Sequence, residues 1–199
     1  TGLPLDPGAL LTFLERVPEK CVVVLDEAYT DFMDEKLRTP SFEWVKRFPN
    51  LLVTRTFSKA YGLAGLRAGF GVANKELIEM MNRIRPPFNM NAAAQAAAVA
   101  ALEDQAFLRK VVQTNATERA RLAAFFEELK LVQLPSQANF IMVHVGPKAA
   151  EINEAMLRKG VILRPLKSYG LPEYIRISVG SPEENDIFMK AFRETLSAL

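Results

Sequence analysis

The chain has 199 residues, 49% hydrophobic and 24% charged, with a net charge of +2. That is enough for one large domain or two small ones, with a core that needs neither disulfide nor metal. No basic run stands out, which argues against nucleic acid or an anionic membrane as a partner. No apolar stretch reaches membrane-spanning length and there is no charged-then-apolar leader, so the expected compartment is the cytoplasm. The single cysteine, Cys21, lies in the run "CVVVLD" and is expected to be a small buried hydrophobe in a reducing compartment.

"TGLPLDPG" opens in turn chemistry and reads as the exit of a loop from something longer. "DPGALLTFLERVP" predicts a proline-started amphipathic helix with Leu10, Leu11 and Leu14 on one side. "CVVVLDEAY" is a continuous β-branched run ending at a carboxylate, the pattern of a strand buried on both faces of a parallel sheet. A helical turn at "SFEWVKRF", a strand at "LLVTRTF" and a short glycine-rich strand at "RAGFGVA" follow. Helices then dominate: "NKELIEMMNRIRPP", the alanine-rich "NAAAQAAAVAALED", and one long helix from "DQAFLRK" to "FFEELK" that bridges two domains. The alanines favour a helix of little bulk packed tightly on a neighbour. The remainder reads strand ("ANFIMVHV"), helix ending at Gly160, strand ("ILRPL"), strand ("EYIRISVG") and terminal helix. That last helix carries Ser181 as cap, Pro182 first and Glu184 third.

Two stretches carry chemistry. "DEAY", Asp26 to Tyr29, follows a predicted strand, the end at which open α/β sheets bind ligands. Taken alone, the plainer reading is a strand-terminal turn in which Asp26 caps the next helix. The second stretch is "TRTFSKAYGLAGLRAGF", residues 54–70. It is not a nucleotide-hydrolase phosphate loop, in which glycines precede the lysine and a hydroxyl residue follows it. Here Ser58 precedes Lys59, and Gly62, Gly65 and Gly69 come after. Ser58 and Arg67 can both reach an anion, one by a hydroxyl and one by a guanidinium. A lysine beside such a clamp suggests a Schiff base with a phosphorylated aldehyde. His144, the only histidine, is read as core or surface, and without a histidine or cysteine cluster no metal site is expected.

With "VVVLDEAYTDF", "TFSKAYGLAGLRAGF", "RPPFNMNAAAQAAAVAAL", "ILRPL" and "YIRISVG", the chain resembles the class I/II aminotransferases of fold type I. These depend on pyridoxal 5'-phosphate, and within them the histidinol-phosphate aminotransferases are most alike. The resemblance covers essentially the whole chain. It implies an α/β fold: the carboxyl-terminal part of a mostly parallel large-domain sheet over residues 1–103, and a small α+β domain with the bridging helix over 104–199. It implies that Lys59 forms the Schiff base and then moves the proton. Asp26 would pair with the pyridinium nitrogen, and Tyr29 with the ring's phenolic oxygen. Ser58 and Arg67, with Thr56 as a weaker candidate, would hold the cofactor phosphate. Arg176 and Arg164 would bind the substrate's anionic groups, although Arg164 also reads as a rim charge and Arg176 as the outer face of an alternating strand. The turn at Pro86 and Pro87 would bring Asn89 near the site.

The resemblance further implies a homodimer acting on histidinol phosphate with 2-oxoglutarate. Rivals are an aromatic amino-acid aminotransferase, a threonine-phosphate decarboxylase, or an effector-sensing domain of a regulator. It also implies that upstream pocket segments are missing, so that the chain alone exposes an apolar sheet edge and binds the cofactor weakly.

Overall fold

The computed structural model describes residues 1–199. They divide into two compact units, Leu5–Val111 and Thr1–Pro4 with Val112–Leu199.

In the first unit, Asp6 accepts a hydrogen bond from the Ala9 amide at 2.7 Å and Pro7 opens helix α1 (Pro7–Arg16). Strand β1 (Val23–Asp26) runs parallel to β2 (Leu51–Thr56), and helix α2 (Ser41–Arg47) lies between them in sequence. Strand β3 (Gly69–Ala73) pairs antiparallel with β2, giving the order β1-β2-β3. Leu14, Leu25, Val45, Phe48, Leu51 and Val53 form the core between this sheet and α1 and α2. Helices α3 (Lys75–Ile84) and α4 (Ala92–Glu103) follow, and then the long α5 (Gln105–Glu128), within which the unit ends.

The exposed apolar sheet surface expected of the chain alone is present, and the expectation for Cys21 fails. The valine run is not buried on both faces. Leu25 is buried and Val23 packs on the core, but Val22 and Val24 are 55% and 59% exposed. Only one face of β1 receives helices, and alternation along a strand sends successive side chains to opposite faces. Cys21 is exposed, not buried; it lies two residues before β1, where its amide is tied to the Pro18 carbonyl in a turn.

The second unit holds β4 (Phe140–His144), α6 (Ala149–Arg158), β5 (Arg164–Pro165), β6 (Tyr174–Ser178) and α7 (Pro182–Ala198). Its sheet is antiparallel in the order β4-β6-β5. Leu122, Phe125 and Phe126 from α5 and Phe188 and Phe192 from α7 pack with Ile141, Val143, Ile175 and Ile177 of the sheet. Edge-on ring contacts, such as Phe126–Phe192 at 6.1 Å, knit the two helices. Ser181 and Glu184 close a reciprocal capping box at the start of α7. Beside it Glu118, 4% exposed, accepts from Arg121 and from Asn185. Burial raises the Glu118 carboxyl, but these donors outweigh it and hold the group below the usual glutamate range.

Candidate active site

The carboxyl ends of β1 and β2 lie side by side, with Asp26 opposite Thr54 in the parallel register. Asp26 is exposed and accepts a bond from the Ala28 amide at 3.0 Å, but it does not cap the next helical segment, whose N-cap is Tyr29. The turn after Asp26 carries Tyr29 into that short 3-10 segment, Thr30–Phe32. Lys59, half-buried, sets its Nζ 5.2 Å from the centre of the Tyr29 ring. This is cation–π distance, and Lys59 makes no ion pair with any carboxylate.

The loop after β2 is folded by its own polar groups. Thr56 Oγ1 accepts from the Ser58 amide at 3.1 Å and lies 3.4 Å from the Ala68 carbonyl. The Phe57 amide donates to Ala68 and the Leu63 amide donates back to Phe57. Gly62 supplies the left-handed turn, at φ 72°. Arg67 is also left-handed, at φ 55°, an uncommon state for a residue with a side chain. It is held by bonds from its Nη1 to the Ala64 carbonyl at 2.8 Å and to Ser58 Oγ at 3.4 Å. Beneath the loop, Ala94 and Ala98 of α4 pack on Phe57 and Ala68. The small alanine side chains allow that close approach, and they make α4 the floor on which Lys59 is presented.

A charged cluster that the sequence reading missed sits against the same strand ends. Glu27 Oε2 accepts from Arg55 Nε at 3.0 Å and Nη2 at 2.8 Å, while Oε1 accepts from Thr39 Oγ1 at 3.0 Å. The Arg55 guanidinium lies 4.4 Å from the Phe42 ring centre. Nearby, burial pushes the Asp31 carboxyl up, against the opposing pull of Arg55 and Arg38, and burial followed by the Asp31 charge pushes the Tyr61 phenol up. Register was the signal for the pair: with Asp26 opposite Thr54, the next residues are Glu27 and Arg55.

In the second unit, Arg164 and Arg176 are register partners on β5 and β6. Arg164 is exposed, with Nη2 3.5 Å from the Tyr169 hydroxyl. Arg176 is half-buried over the Phe140 ring at 4.7 Å, and its buried Nε has no partner. His144 pairs with Glu173 at 2.9 Å. The structure thus gathers Asp26, Tyr29, Thr56, Ser58, Lys59 and Arg67 at one end of the first sheet, and places Arg164 beside Arg176 in the second. Asn89, in the first unit, accepts from Arg85 at 3.0 Å.

A lysine-bearing loop at the end of a parallel strand pair, followed by a small α+β unit, defines a class, and the family model agrees. Residues 1–192 match the model for aminotransferase class I and II, and the chain belongs to that family. Histidinol-phosphate aminotransferase 2 of Ralstonia nicotianae is 52% identical over 200 residues, covering 99% of this chain and 54% of that protein. Histidinol-phosphate aminotransferase 1 of Idiomarina loihiensis is 48% identical, covering 98% and 53%. The crystal structure of histidinol-phosphate aminotransferase from Sinorhizobium meliloti, in complex with pyridoxal-5'-phosphate, superimposes with a TM-score of 0.92 at 32% identity, covering 100% of this chain and 55% of that one. The chain spans about half the length of these relatives.

Proposed function

We propose that the protein to which this chain belongs is a pyridoxal-phosphate-dependent transaminase that moves an amino group between L-histidinol phosphate and 2-oxoglutarate. The observation that carries the reading is the loop after β2. It combines a half-buried amine free of any carboxylate with a hydroxyl and a guanidinium 3.4 Å apart. At Gly65 an added Cβ would meet nothing within 4 Å, so this part of the loop is open to solvent. These groups suit a phosphorylated aldehyde. The likeness to the Ralstonia and Idiomarina enzymes supports histidinol phosphate as the substrate.

When bound, pyridoxal phosphate supplies a carbonyl that takes up amines and a ring that withdraws electrons. The chain's own residues do the rest. Lys59 holds the cofactor at its aldehyde carbon, and its amine afterwards takes and returns the proton at the substrate carbon that bears nitrogen. Asp26 offers a carboxylate to the ring nitrogen and Tyr29 a hydroxyl to the ring oxygen. Ser58 and Arg67, with Thr56 beside them, hold the phosphate. Arg164 and Arg176 bind the anionic ends of the substrate; the unpartnered Nε of Arg176 is a donor in want of an acceptor.

The same reading makes the whole enzyme a cytoplasmic homodimer. The exposed Ile84 and Phe88 support association, and no helix is long and apolar enough to cross a membrane.

The test is to add pyridoxal phosphate to the chain, reduce with borohydride and map the modified peptide. Modification centred on Lys59, with the absorbance of the bound cofactor lost in Lys59→Ala, supports the reading. Labelling spread evenly over the surface lysines in a protein of the relatives' length sinks it. In a protein of the relatives' length that carries this chain, histidinol phosphate is expected to be turned over faster than phenylalanine.

A further inference from the structure

We infer that Glu27 and Arg55 form a positioning pair, and that this buried ion pair holds Tyr29 and Lys59 in their mutual placement. Glu27 stands one residue beyond Asp26 and two before Tyr29. Arg55 stands four residues before Lys59, on the neighbouring strand. No other ion pair links these two strand ends. The backbone ladder reaches one step past β1, where the Glu27 amide donates to the Thr54 carbonyl at 2.9 Å. From there the chain turns, and the Glu27 carbonyl receives the Thr30 amide at 3.1 Å. Beyond Glu27 the side chains therefore take over from the sheet.

The geometry suits a clamp. The Glu27 side chain is only 6% exposed, and both its oxygens are engaged, Oε2 by two nitrogens of Arg55 and Oε1 by Thr39. Arg55 is fixed from its other side by the Phe42 ring. A carboxylate buried this deeply requires its partners, because leaving it unpaired carries a large desolvation penalty. The turn bearing Tyr29 thus cannot drift from the strand bearing Arg55 without exposing or orphaning Glu27. A lysine in place of Arg55 would keep the charge but lose the planar pair of donors. Neither Glu27 nor Arg55 is assigned contact with substrate or cofactor; they act through Tyr29 and Lys59. The inference bears on the proposed activity through those residues, but the placement itself can be read without any cofactor.

The experiment uses the 199-residue chain with its lysines reductively methylated with 13C-formaldehyde. The Lys59 resonance is assigned by its loss in Lys59→Arg, and its displacement by the Tyr29 ring is defined by the change in Tyr29→Leu. In Glu27→Gln and in Arg55→Lys the displacement is expected to fall by at least half, and by less in Thr39→Val, while the Lys75 signal stays put. A parallel arm on unmethylated protein measures borohydride-trapped pyridoxal phosphate on Lys59. That labelling should drop about tenfold in both charge-pair variants, the scale of a lost bond to a charged group, with surface lysines unchanged. Circular dichroism confirms that each variant is folded; if Glu27→Gln unfolds, Arg55→Lys and Thr39→Val decide. An undiminished displacement in folded variants overturns the inference, as does the absence of any displaced Lys59 signal in the unsubstituted chain. A displaced signal that responds to Glu27→Gln in a chain that takes up no cofactor upholds the pair, and the proposed function is then decided in a protein of the relatives' length.

Discussion

Lys59 is presented by residues that do little else. Phe57 and Ala60 on either side are buried, so the backbone is pinned while the amine stays reachable. The motif was legible because lysine, hydroxyl and glycines lie close together in the chain. Glu27, Arg55 and Asp31 were not, since what matters about them is a cross-strand neighbour and a depth of burial. Cys21 misled for the same reason: an apolar run says nothing of where the turn before a strand points. Asp31 yields a prediction with a definite sign. Burial raises its folded-state pKa, so the folded chain favours the protonated form, and stability falls as pH rises through that raised value. Asp31→Asn mimics the protonated acid. Its melting temperature is expected to exceed the parent's at pH 7, with the advantage fading below about pH 4, where unfolded aspartate is protonated too. Thermal melts across that range would check it; an advantage independent of pH would contradict the burial account.

Helices and strands were read more easily than their faces. The capping box at Ser181 and the proline starts of α1 and α7 are local chemistry, and the structure bears them out. The alanine helix was expected to pack closely on a neighbour, and α4 does so against the lysine loop. The valine run is patterned for burial on both faces and is covered on one in this chain, as expected of about half the length of the relatives. Glu118 is a charge on α5 buried against α7, a depth that local sequence does not report. Its lowered pKa makes its contribution full above the ordinary glutamate value and lost as pH falls through the lowered one. Glu118→Gln should cost about 2–3 kcal/mol near neutrality. Urea unfolding should show the difference from the parent shrinking in acid, and a constant difference would mean that packing, not charge, holds the joint.

In the 199-residue chain as a whole, β1 is an edge strand, with Val24 on it and Val22 just before it open to water. Exposed apolar edges invite pairing with another chain. The 199-residue chain is therefore expected to self-associate as its concentration rises, and Val24→Lys should shift sedimentation profiles toward the monomer without altering circular dichroism. The two compact units divide inside α5, between Val111 and Val112, where no composition changes. That location has a thermodynamic consequence. Seven residues of α5 amount to roughly two turns, short of the ~12–15 residues an isolated helix needs to persist in water. Helix propagation is cooperative, so fraying that begins on one side of Val111 withdraws hydrogen bonds from the other. The shared helix therefore binds the fates of the two units, and heat should enter them as one transition, not two.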